Sequence, residues 1–116
     1  MRYDFERLEV YQQALEFAER LFEITQRFPS QLQFSLGDQL RRATLSICNN
    51  VAEGSEKGAA SRRQFYGYAL GSARECVPML QLALRLKIFS QEQYRDLDER
   101  GFRIPSMLYK LIRSVK

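Results

Sequence analysis

The chain has 116 residues, 45% of them hydrophobic, a size that suits one domain around one core. Eighteen Lys and Arg stand against fourteen Asp and Glu for a net charge of +4, with fourteen arginines to four lysines and no histidine. Ser-His-Asp and Cys-His nucleophile systems, His-ligated zinc and the usual acid/base near neutral pH are therefore excluded, and two cysteines cannot complete a four-ligand Cys/His zinc cage.

The N-terminus, Met1-Arg2-Tyr3-Asp4-Phe5-Glu6-Arg7, is charged from the start and does not resemble a signal peptide. No apolar run approaches the ~18 residues needed to span a bilayer. Cys48 and Cys76 read as free thiols of a cytoplasmic protein, not as a disulfide framework.

Sorted by face at about 100° per residue, residues 8–28 predict a first helix. Val10, Tyr11, Ala14, Leu15, Phe17, Ala18, Leu21, Phe22, Ile24 and Phe28 fall on one half of the cylinder, and polar side chains fill the other. That apolar face is wider than the ~100° stripe a single core requires. The surplus is Val10, Phe17 and Ile24, which either touch two neighbouring helices or form a subunit interface.

Pro29 is expected to end this helix, and Ser35, with Asp38 three residues on, to cap a second helix over 36–53. Leu36, Leu40, Ala43, Ile47 and Val51 form its core side, and Gly54 is expected to stop it at C′. After a short loop, Ser61 with Gln64 predicts the capping box of a third helix over 62–87. Its core side is Phe65, Tyr66, Ala69, Leu70, Ala73, Cys76, Val77, Leu80, Ala83 and Leu84. Ser90 with Gln93 opens a fourth helix over 91–115, in which Leu97, Gly101, Ile104, Leu108, Leu111 and Val115 keep phase through Pro105. Pro78 and Pro105 are each expected to kink a helix without breaking it. Four helices, short connections and no strand pattern predict an all-α fold, an antiparallel up-down-up-down four-helix bundle forming one domain over 1–116.

The net charge conceals an asymmetry: residues 1–40 carry −3, residues 41–89 carry +5 and residues 90–116 carry +2. Such a distribution belongs either to the solvated faces of a soluble bundle or to a surface for phosphate backbones. Lys57, Arg62 and Arg63 surround the start of the third helix, where the helix dipole disfavours a cation by about 0.3–1 kcal/mol each. With Gly54, Gly58 and the Ser61 hydroxyl they form either a solvated cluster or a phosphate cradle, although no Walker motif is present.

On the second helix Arg42, Ser46, Asn49 and Glu53 form a polar stripe that either faces water or makes a hydrogen-bonding seam with another subunit or a bound polymer. Gly67 and Gly71, followed by Ser72, are expected to allow close helix packing, or else to floor a ligand groove. Arg63 and Arg74 exclude a membrane dimer at that spacing. Tyr66, Tyr68 and Tyr109 are either core or interface residues or stack on bases. Glu53 and Glu75 are single carboxylates with no partner for catalysis, so neither an enzymatic role, a cofactor nor a metal is expected.

Leu8-Glu9-Val10-Tyr11-Gln12-Gln13-Ala14, Gln39-Leu40-Arg41-Arg42-Ala43 with Ser46-Ile47, Asn50-Val51-Ala52-Glu53-Gly54, and Ala69-Leu70-Gly71-Ser72 with Glu75 resemble the four-helix bundle family of ribosomal-RNA intervening-sequence proteins. Some members are encoded within large-subunit ribosomal RNA genes. A related branch is the accessory variability protein of diversity-generating retroelements, a basic pentamer that binds nucleic acid and a reverse transcriptase. The resemblance implies an antiparallel bundle, a homo-pentamer and binding of RNA or DNA. The candidate phosphate contacts are Arg41, Arg42, Lys57, Arg62, Arg63, Arg74, Arg113 and Lys116. The candidate subunit contacts are Val10, Phe17 and Ile24 with the Arg42, Ser46, Asn49 and Glu53 stripe. The alternative is a protein-interaction scaffold without nucleic acid.

Overall fold

In the computed structural model, which describes residues 2–116, four long helices carry the architecture: α1 (Glu9–Thr25), α2 (Asp38–Ser55), α3 (Ala59–Arg85) and α4 (Gln91–Ser114). Each packs on two neighbours in the cyclic order α1, α2, α3, α4, with the α2–α3 seam the most extensive. Among the described residues there is no strand, and the predicted antiparallel bundle is the fold observed. At about 1.5 Å per residue, the 27 residues of α3 span nearly the whole 44 Å long axis.

The apolar periodicities converge on one core in which Phe17, Leu21, Leu40, Ile47, Val51, Ile104 and Leu108 are fully buried. Burial of each such side chain contributes about 1.5–3 kcal/mol. The wide face of α1 is explained inside the single chain, because α1 packs against both α2 and α4. Val10 and Phe17 are buried there and leave no surface for another subunit, and Ile24 is half-buried against the same core. Val77, expected in the core, is exposed.

Helix ends depart from the sequence reading where distant groups decide them. α1 stops at Thr25, ahead of Pro29, because Gln33 reaches back: its Nε2 donates to the carbonyls of Thr25, Phe28 and Gln26 at 2.8, 3.0 and 3.2 Å. Pro29 instead leads into a single turn, Ser30–Leu32, which continues through a π-helical turn, Gln33–Gly37, into α2. Ser35 therefore lies inside the helical path, its hydroxyl donating to the Leu32 carbonyl at 3.4 Å, and does not cap α2. α3 starts at Ala59 behind Gly58, so Ser61 sits in its first turn and forms no capping box.

At the other end, α3 closes on Lys87 at φ 61°, with Lys87 N–H donating to the Leu84 carbonyl at 2.9 Å and Ile88 N–H to the Ala83 carbonyl at 3.0 Å. This is a Schellman closure with a lysine where glycine is usual. The Ser90–Gln93 capping box forms as expected, its two bonds measuring 2.8 and 3.0 Å. Pro78 and Pro105 both lie inside continuous helices.

Close packing occurs at other glycines than those expected. A Cβ at Gly67 or Gly71 would meet nothing within 4 Å. Gly54, which lies within α2 and not past its end, would place a Cβ 3.0 Å from the Phe65 Cβ and the Tyr66 ring, and Gly101 would place one 3.2 Å from the buried Phe17 ring. Of the expected packing group only Ser72 sits in a seam, its hydroxyl 2.7 Å from that of Ser46 on α2.

Gly71→Ala and Lys87→Gly should each raise unfolding stability by about 0.5–1 kcal/mol, the first through helix propensity and the second by relieving a left-handed residue. Gly101→Ala should lower it by about 1–3 kcal/mol through overpacking against Phe17. Urea unfolding followed by circular dichroism measures all three.

Candidate nucleic-acid interface

The antiparallel order brings the start of α3 beside the ends of α2 and α4, and the two arginines of its first turns bridge these termini. Arg62 donates from Nε to the Gly54 carbonyl at 3.4 Å and from Nη2 to the Ser55 carbonyl at 3.2 Å, while Arg63 Nη1 donates to the Val115 carbonyl at 3.4 Å. A cation is disfavoured at a helix N-terminus but favoured by a similar amount at a C-terminus. The cations that look misplaced on α3 are thus the C-terminal caps of its neighbours.

Lys57 pairs with Glu53 at 3.1 Å and lies 5.8 Å from the centre of the Phe65 ring. Gly54 is buried inside α2 and Ser61 sits in the first turn of α3, while Lys57, Gly58 and Arg62 of the candidate cradle line one groove. That groove measures about 490 Å³ and is lined also by Asp4, Phe5, Leu111 and Lys116.

The other expected cations divide by occupation. Arg41 is half-buried and donates from Nη2 to the Gln33 carbonyl at 2.7 Å, which fixes the residue that caps α1 and takes Arg41 out of the surface. Arg42 is exposed and pairs with Asp38 at 2.9 Å. Arg74 donates to the Tyr109 hydroxyl, with its guanidinium 5.2 Å from the centre of that ring. Arg113 and Lys116 are exposed and make no ion pair among the described residues.

The arrangement that results is a cationic face along the outer α3–α4 seam. Helical spacing puts exposed Arg63, Arg74 and Arg85 on the α4 side of α3, and exposed Arg95 and Arg113 on the α3 side of α4, with exposed Lys116 just past the end of that helix. The contacts of Arg63 with Val115 and of Arg74 with Tyr109 tie the two stripes together. Asp98 is the acid on that side of α4, since Asp96 and Glu99 are paired with Arg100 and Arg103. Arg85 and Arg95 escaped the sequence reading because only the pairing of α3 with α4 brings them onto the same face as Arg63, Arg74 and Arg113. The signal that would have found Arg95 is its seven-residue spacing with Phe102 and Tyr109.

Of the polar stripe on α2, Ser46 is half-buried and bonded to Ser72 and to Asn50 Nδ2, whereas Arg42, Asn49 and Glu53 stay exposed. Tyr66 is buried with its hydroxyl 2.9 Å from that of Ser55, which removes it as a base-stacking candidate; Tyr68 and Tyr109 are exposed. No three acidic or cysteine side chains gather as metal ligands among the described residues, and none of their helices is long and apolar enough to cross a membrane.

The family model for 23S rRNA-intervening sequence proteins matches residues 6–110. The chain belongs to this family. The match takes in α1, α2 and α3 and most of α4, and leaves Arg113 and Lys116 beyond its end. A solved structure from Bacteroides thetaiotaomicron VPI-5482, described as a protein of unknown function from the S23 ribosomal protein family, is similar to this intervening-sequence family member. The TM-score is 0.84 at 26% identity, covering 90% of this chain and 99% of that one. A comparison with curated proteins gives no match.

Two predictions follow from the buried and capping groups. Burial pushes the Cys48 thiol up to about 11 and the Cys76 thiol up to about 12, from 9.0. A thiol raised on folding binds its proton more tightly in the native state, so its contribution is complete below about pH 9 and lost as pH rises towards 11 and 12. Urea midpoints should fall above pH 9, less steeply in Cys48→Ala with Cys76→Ala. Arg62→Met, which keeps the stem but removes the cap, should cost about 1–2 kcal/mol in the same unfolding measurement.

Proposed function

We propose that this intervening-sequence family member is a non-enzymatic, homo-oligomeric helical bundle that binds RNA or DNA phosphates, as an accessory to a larger nucleic-acid enzyme such as a reverse transcriptase. The observation that carries this reading is the α3–α4 face, where Arg63, Arg74, Arg85, Arg95 and Arg113 share one side, with Lys116 just past the end of α4 and Asp98 as the opposing acid. A dense cationic stripe attracts a polyanion by displacing its counterions and reads no sequence. The family's name, which couples it to 23S ribosomal RNA, supports the same direction.

A homo-pentamer is part of the proposal, by the family resemblance. With Val10 and Phe17 inside the core, the exposed α2 stripe of Arg42, Leu45, Asn49 and Glu53 is the surface for neighbouring copies. Each added copy repeats the +4 of one chain and with it the cationic face. One observation favours the second reading, a scaffold for protein partners alone: Phe34 stands 92% exposed on the π-helical turn.

Titration of labelled RNA at a series of salt concentrations separates the two. Nucleic-acid binding predicts that log K falls linearly with log salt, and that Arg113→Glu with Lys116→Glu weakens binding and reduces the slope by roughly 1.5–2. These two positions are preferable to Arg62 and Arg63, whose removal uncaps α2 and α4. Absence of binding at micromolar protein in low salt leaves the scaffold reading. Native mass spectrometry reports the copy number, and a strict monomer overturns the ring.

A further inference from the structure

Resting on the phosphate-binding reading above, we propose that the nucleic acid taken by the α3–α4 face is single-stranded, and that Phe102 and Tyr109 are the rings on which its bases stack. Phe102 is 77% exposed and belongs to no aromatic pair, and Tyr109 is 43% exposed. An isolated surface aromatic needs no explanation. These two are not isolated, for they lie seven residues apart on one side of α4, about 10 Å along its axis. Arg95 lies seven residues before Phe102 and Arg113 four residues after Tyr109, so the stripe reads cation, ring, ring, cation.

The α3 side of the seam suits the same occupant. Arg74 lies against the Tyr109 ring and its hydroxyl, which orients both the ring and a cation towards one site. Gly67 and Gly71 leave two bare positions on the outward surface of α3 between Arg63 and Arg74, where an added Cβ meets nothing, so a strand can approach the helix closely there. In a duplex the faces of the bases are already stacked on one another, and exposed rings gain nothing from them. An unpaired strand offers those faces beside its phosphates, and stacking on a ring is indifferent to sequence. An apolar protein surface laid on the rings would have to bury Arg74, Arg95 and Arg113 with only Asp98 to neutralise them. Charge thus selects a polyanion over a protein as the partner of these aromatics.

Fluorescence anisotropy at fixed salt, with a labelled 12-nucleotide oligouridine and a 12-base-pair RNA duplex as probes, tests the assignment. The wild type should prefer the single strand. Phe102→Ala should lower its single-strand affinity by at least about fivefold, Phe102→Tyr should restore it, and neither should move duplex affinity or the salt slope. Single-strand affinity unchanged in Phe102→Ala, or equal weakening on both probes, overturns the stacking role while leaving phosphate binding intact. Wild-type protein that binds neither probe overturns the phosphate-binding reading as well. A change of mass by light scattering in Phe102→Ala assigns the ring to a contact between copies and overturns the proposal.

Discussion

Two arginines at the start of α3 hold the far ends of α2 and α4, and the surface chemistry of the bundle follows from that arrangement. In an antiparallel four-helix bundle every helix start lies next to two helix ends, which places donors in need of anions beside carbonyls in need of cations. Arg62 and Arg63 satisfy the carbonyls from the neighbouring backbone. Gln33 performs the same service for α1 from the opposite end of the molecule, and Arg41 holds Gln33 in turn. Polar side chains that resemble ligands for an outside molecule are in this way committed to the fold. Among the cations not so committed, Arg85, Arg95 and Arg113 gather on the outer α3–α4 seam beside Arg63 and Arg74.

The helices themselves were legible because each has its own apolar period, a local property that a single sequence displays. Leu97, Gly101, Ile104 and Leu108 keep phase through Pro105 and are all buried. The helix ends were less legible because their caps are long-range. Nothing near Thr25 announces that Gln33 will turn back to its carbonyl, and the Ser90–Gln93 box was readable because it is complete within four residues. Phase also explains the glycines. Gly67 and Gly71 each lie one or two residues past a core position, on the outward side, whereas Gly101 sits in the core series itself, opposite Phe17.

The candidate site was legible as a residue type and not as a place. Eight cations were expected to contact phosphate, yet Arg41 is withdrawn into the fold, and Arg62 and Arg63 act as caps, the latter while still exposed on the seam. Arg113 and Lys116 are exposed, and Arg85 and Arg95 come onto the face of Arg113 only through the pairing of α3 with α4. Closeness in sequence around the start of α3 was the misleading signal, since neighbouring cations there point to two different helix ends. The width of α1's apolar face misled in a similar way. A helix that packs on two neighbours needs such a width without any further subunit.

The guanidinium character of the α3–α4 face governs how any hold it exerts can be released. Five of its six cations are arginines, a side chain that does not give up its proton in proteins, and the chain contains no histidine to add or subtract charge near neutrality. Acidification of a compartment leaves such a surface unaltered, and lysine acetylation reaches only Lys116. Release must then come from outside the chain, through ionic strength or a competing polyanion. The face is a fixed electrostatic element, with its regulation delegated to its surroundings.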